Sequence, residues 1–126
     1  MNLQIGIPCG LNSEKYTEHL INNIDITISK SIDYELVLGV TNSRVDLNYL
    51  KKIKAKKKIK ILKNFFFNNL FRSGSTGHGI TLNLIYKNMT ADYGLIIDSD
   101  VAFLDFDWDE TFLKLLNKRI IIAGSE

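Results

Sequence analysis

The run Tyr93-Gly94-Leu95-Ile96-Ile97 is too short for a buried helix, and it stops abruptly in two carboxylates one residue apart, Asp98 and Asp100. A short apolar run of this kind reads as a strand buried on both faces. In an open α/β sheet, ligands bind outside the carboxyl ends of the strands, so acids in that place project toward a substrate or a cation. Two hard oxygen donors there suit Mg²⁺ or Mn²⁺, which take carboxylate and phosphate oxygens. Asp-x-Asp alone equally fits a solvated loop or a helix cap, so its neighbourhood has to decide.

That neighbourhood is a chain in which strand and helix patterns alternate. Leu3 to Pro8 has apolar residues at 3, 5 and 7 and reads as the first strand, which Pro8 ends because it cannot donate to a ladder. Asn12 or Ser13 is the expected N-cap of a helix with Glu14 in its first turn and Leu20, Ile21, Ile24 and Ile28 on one side. Tyr34 to Val40 is a second strand, followed by Thr41-Asn42-Ser43 and a helix with Val45, Leu47, Leu50 and Ile53 as its apolar face. Lys58 to Leu62 switches to period two and reads as a strand near a sheet edge, and Phe65, Phe66 and Phe67 as a plug beneath a loop. Arg72 to Gly79 is a glycine-rich loop leading into a helix with Leu82, Ile85 and Met89 on one side. Its glycines would let backbone amides approach a phosphate, although it matches neither the P-loop nor the dinucleotide fingerprint. A short helix with Phe112, Leu113 and Leu116 and a last strand, Arg119 to Ala123, complete the pattern. Such alternation predicts an α/β fold, three layers α/β/α, with a mostly parallel central sheet.

Composition narrows the function classes. A chain of 126 residues is one domain, 1–126, with 45% hydrophobic and 24% charged residues. Its one cysteine excludes a disulfide framework, and neither a membrane span nor a signal peptide is evident, so a cytoplasmic location is expected. Seven of the sixteen basic residues are lysines between Lys51 and Lys60, leaving 9 basic against 14 acidic residues elsewhere, a net of −5. With no arginine or aromatic interleaved, that block reads as a solvated helix face and not as a nucleic-acid site.

Four segments are expected at one sheet edge: Pro8 to Asn12, Thr41 to Ser43, His78 to Asn83, and Asp98 to Asp100. The segment Gly77-His78-Gly79-Ile80-Thr81-Leu82-Asn83, then a helix, then Tyr93-Gly94-Leu95-Ile96-Ile97-Asp98-Ser99-Asp100, resembles the nucleotide-sugar-binding half of GT-A glycosyltransferases, particularly family 2. Ile5-Gly6-Ile7-Pro8 resembles the opening strand of that family. The resemblance covers essentially the whole chain as the first half of such an enzyme, with the acceptor-binding half absent. It implies a UDP- or GDP-linked sugar donor and a Mn²⁺ or Mg²⁺ ion held by Asp98 and Asp100. Pro8, Cys9 and Gly10 would line base and ribose, with Asn42 near the base. His78 and Asn83 would approach the diphosphate or ribose, and Asp98 and Ser99 would complete the donor site.

The chain departs from that pattern in two places. Thr41-Asn42-Ser43 stands where an acid usually reads the base, and His78 where Lys or Arg is usual. No general base can be assigned, so the acceptor and the residue that activates it would come from a further domain or another chain. A nucleotidyltransferase would want basic residues in the loop after the first strand, and Cys9 to Ser13 has none. A toprim-like or receiver-like domain would want an acid at the end of that strand, which is absent. Cys9 lacks a base partner for nucleophilic work. The alternation Asp105, Asp107, Asp109 imitates a calcium loop, but Glu110 and Leu116 occupy the positions that need Gly and Glu. These acids are expected to cap the next helix or face solvent. The remaining alternative is a non-catalytic module that keeps the fold for assembly or recognition.

Overall fold

The computed structural model describes residues 2–65 and 74–116. Strands and helices alternate as β1 (Asn2–Pro8), α1 (Glu14–Thr27), β2 (Asp33–Val40), α2 (Leu47–Lys52), β3 (Ile59–Lys63), α3 (Gly74–Lys87), β4 (Tyr93–Ile96) and α4 (Trp108–Leu115). The strands form one sheet in the order β3-β2-β1-β4, and every pairing is parallel. The chain is therefore α/β, as the alternation predicts. The expected strand 119–123 and residues Phe66 and Phe67 lie outside the described residues, and Phe65 packs half-buried against the core.

Side-chain alternation divides the sheet into two unlike faces. Leu3, Ile5 and Ile7 of β1 and Leu36, Leu38 and Val40 of β2 join Leu20, Ile21 and Ile24 of α1 in one apolar core. The opposite face carries glycines. Gly94 pairs with Gln4, Gly39 pairs with Pro8, and Gly6 lies between them on β1, so the three make a diagonal across three strands. A Cβ at Gly39 would lie 2.6 Å from Ile85, one at Gly6 2.4 Å from Ile85, and one at Gly94 2.6 Å from Met89. Helix α3 lies in this shallow trench, with Thr81 above Gly39 and Met89 reaching Gly94. The missing side chains let the helix approach, and so fix its course over the sheet.

Local hydrogen bonds set the ends of several elements. Asp46 caps α2, accepting from Tyr49 N at 3.0 Å. Ser13 holds the N-cap position of α1, but its hydroxyl donates to Gly10 O at 2.7 Å and so tightens the β1–α1 loop, where Asn12 adopts a φ of +63°. Gln4 Oε1 accepts from the amides of Thr90 and Ala91, tying the α3–β4 connection to the middle of the sheet. Asp25 accepts from Tyr34 Oη and from Lys56 N, joining α1, β2 and the α2–β3 connection. Burial and that carboxylate raise the Tyr34 phenol well above its ordinary range.

The structure corrects three expectations. Tyr93 to Ile97 is not buried on both faces: β4 ends the described sheet, Ile96 is 38% exposed, and Ile97 is the buried residue of the run. The reason is topological, since β1 and β2 take the inner positions. The glycine-rich stretch from Gly74 is helix and not a loop, so His78 lies within α3. Asp109 neither caps a helix nor faces solvent. It is 1% exposed and accepts from Ser29 N at 2.8 Å and Ser29 Oγ at 2.6 Å, pinning α4 just past the end of α1.

Candidate functional site

The strand order fixes where a ligand would go. From β1 the chain steps outward to β2 and β3, then returns to the other side of β1 for β4, so the switch of direction falls between β1 and β4. Loops leaving adjacent strands diverge at such a point and open a crevice beyond their carboxyl ends. Here those loops are Cys9 to Ser13 and Ile97 to Asp100. Cys9 N donates to Gly39 O and Ile97 N to Gly6 O, each at 2.9 Å, so both loops leave from extended, hydrogen-bonded strand ends.

A cavity of about 340 Å³ opens at the carboxyl edge of the sheet, between the ends of β1 and β2 and helix α3. Pro8, Cys9, Gly10 and Leu11 form one side, Thr41 and Asn42 the second, and Gly74, Gly77, His78 and Thr81 of α3 the third. Helix α3 thus presents its first described turn to the cavity, where the positive end of the helix dipole favours an anion. The glycine trench is what sends that end of the helix there. A 2.6 Å bond between the hydroxyls of Thr41 and Thr81 ties the end of β2 to α3, and Thr81 also donates to Gly77 O.

The carboxylate pair follows β4. His78 Nε2 lies 3.4 Å from Asp98 Oδ1, so a side chain of α3 reaches the end of β4 across the end of β1. Both groups are about half exposed. Val101 N donates to Asp98 O, closing a turn through Ser99 and Asp100. Among the described residues no cluster of three or more His, Cys, Asp or Glu side chains could hold a metal ion by itself. Asp98 and Asp100 nevertheless match the donor set of an ion that binds through one or two carboxylates, retains waters and takes its remaining oxygens from a substrate phosphate.

The edge therefore assembles Pro8, Cys9, Gly10, Asn42 and His78 around one cavity, with Asp98 linked to it through His78. Asn83 is not brought there. It lies on the exposed side of α3, beyond the Thr81 that meets the cavity. Ser99 and Asp100 stand in the turn after β4 and not among the lining residues. Thr81, Gly74 and Gly77 also line the cavity, although the motif reading gives none of them an individual site role. Their signal was the spacing Gly77, Thr81, Ile85, a stripe every four residues that marks the sheet-facing side of a helix.

Two side chains have defined chemistry. Cys9 is 2% exposed, and burial pushes its thiol up to about 11, while a hydrogen bond with Thr17 works against that rise. The thiol is thus protonated at neutral pH and packs as a small apolar group. Asn42 Oδ1 accepts from Arg44 N at 2.9 Å, which identifies that terminal atom as oxygen and leaves the NH₂ without a partner among the described residues. No described helix is long and apolar enough to cross a membrane. No protein-family model, curated protein or solved structure matches this chain.

Proposed function

We propose that this chain is the donor-binding part of a GT-A-type, metal-dependent glycosyltransferase, which transfers a sugar from a nucleoside diphosphate to an acceptor hydroxyl. The observation that supports it best is the strand order β3-β2-β1-β4, because its switch point sets the loop after β1 beside the carboxylates after β4. A cavity of about 340 Å³ at that edge falls within the usual range for small-ligand sites. In this reading Pro8, Cys9 and Gly10 border the nucleoside, and the first turn of α3 faces the diphosphate. Asn42 offers its NH₂ to an acceptor atom of the base.

Asp98 and Asp100 would hold Mn²⁺ or Mg²⁺, which when bound offsets the negative charge of the departing diphosphate. His78 orients Asp98 before the donor arrives. The acceptor and its general base come from outside the described residues. Calorimetric titration of UDP, GDP, CDP and ADP in the presence of Mn²⁺ and of EDTA tests this reading. Binding should need the metal, favour UDP or GDP, and be lost in Asp98→Ala and Asp100→Ala. Absence of binding under every condition would overturn it and leave a module retained for assembly.

A further inference from the structure

The geometry points to a second binding surface, independent of the nucleotide site, through which copies of this chain associate head to tail. One half is a groove of about 580 Å³ between α2 and β3. Ile53, Ile59 and Ile61 line it together with Lys51, Lys54 and Lys57, and the buried Leu50 lies beneath. The lysine block supplies an excess of charge here. Lys57 is paired with Asp33 at 2.8 Å and Lys56 donates to Asp25 O, but among the described residues Lys51, Lys52, Lys54, Lys58 and Lys60 have no carboxylate partner. Apolar and cationic side chains line the groove together, so it suits an apolar side chain flanked by acids.

The other half is the loop between β4 and α4, which has the complementary character. Leu104 is 93% exposed and Phe106 is 69% exposed, and they alternate with Asp105 and Asp107, neither of which has a cation partner among the described residues. The loop is held at both sides of this apex. Asn23 bonds both the N–H and the carbonyl of Phe103, Phe103 stacks on Trp108 at 3.7 Å, and Asp107 N donates to Thr27 O at 2.7 Å. Leu104 and Phe106 are therefore presented in a fixed position, with little ordering cost left for binding.

One chain cannot fill its own groove. The loop is fastened to Asn23 and Thr27, whereas the α2–β3 connection is fastened to Asp25, and residues two apart on a helix face nearly opposite ways. Loop and groove thus lie on opposite sides of α1, at opposite ends of the four-stranded sheet. Two different patches that complement each other make a heterologous contact, which adds copies in sequence unless its rotation closes a ring.

Sedimentation of three proteins tests this: wild type, a loop variant (Leu104→Asp with Phe106→Asp) and a groove variant (Lys51→Glu with Lys54→Glu). The wild type should grow in average mass with concentration, and its association should weaken by about tenfold or more from low to high salt. Each variant alone should remain monomeric. An equal mixture should form one-to-one dimers that grow no further, because one intact loop and one intact groove remain. A monomeric wild type, association by either variant alone, or a monomeric mixture would overturn the proposal. Binding of monomeric wild type to phosphatidylserine vesicles, or to an acidic apolar peptide, would also overturn it and assign the groove to that partner.

Discussion

The two faces of the sheet are built on opposite plans. Toward α1 the strands offer Leu3, Ile5, Ile7, Leu36, Leu38 and Val40, which bury large apolar area and supply most of the cohesion. Toward α3 they offer Gly6, Gly39 and Gly94, which contribute almost no area of their own but allow the helix to lie close. Bulk secures the first helix and its absence steers the second. The distinction teaches where function would be placed, since it is the steered helix whose first turn lines the cavity and whose His78 meets Asp98. A face that mainly positions is expected to respond to added atoms, and a face that mainly stabilises to removed ones.

Substitutions can break that contrast. Leu36→Ala, at a fully buried site on the α1 face, should cost about 2–5 kcal/mol in urea unfolding. A loss below about 1 kcal/mol would show that this face is not the main source of stability. The buried thiol gives the next largest effect, and its sign is fixed. Cys9 titrates near 11 folded against an ordinary 9.0, so the unfolded chain loses the proton first. Its contribution should hold constant below about pH 9 and then fall by roughly 2–3 kcal/mol as pH rises to about 11. The difference between wild-type and Cys9→Ala stability curves isolates this decline, and parallel curves would contradict it.

On the α3 face, Gly6→Ala should cost about 1–3 kcal/mol, because its methyl would meet the buried Ile85 at 2.4 Å. Ile85→Ala in the same chain should make the added methyl much less costly, a coupling that additive losses would disprove. Thr81→Val should cost about 0.5–1.5 kcal/mol by removing its bond to Thr41, with a larger proportional effect on nucleotide affinity than on stability. Smallest in stability is Asp98→Ala, expected to lie within about 0.5 kcal/mol of wild type because the carboxylate is largely exposed.

How far the sequence could be read follows the same division. Period-two and helical patterns located the α1 face, because burial of large side chains leaves a regular apolar signal at Leu3, Ile5, Ile7, Leu20, Ile21 and Ile24. Glycine leaves no such signal, so the trench at Gly6, Gly39 and Gly94 was invisible until register aligned the three. For the same reason the stretch from Gly74 read as a loop, although its glycines lie in a helix. Asp109 looked like one of three solvated acids because nothing local announces a partner in Ser29, 80 residues away. Within the candidate site, Pro8, Cys9, Gly10, Asn42 and Asp98 were legible as strand ends. Asn83 lies outside the cavity lining because its position depends on the rotation of α3, which the glycines set.

The location of the metal-nucleotide site is the central claim, and paramagnetic broadening by Mn²⁺ in the presence of UDP or GDP tests it most directly. In a ¹⁵N-labelled chain, amides of Cys9, Gly10, Leu11, Asn42, His78 and residues 98–101 should lose intensity, while those of α2 and β3 stay sharp. Asp98→Ala should restore the lost signals. Broadening centred on any other part of the sheet, or unchanged in Asp98→Ala, would contradict a donor site at the β1–β4 switch point.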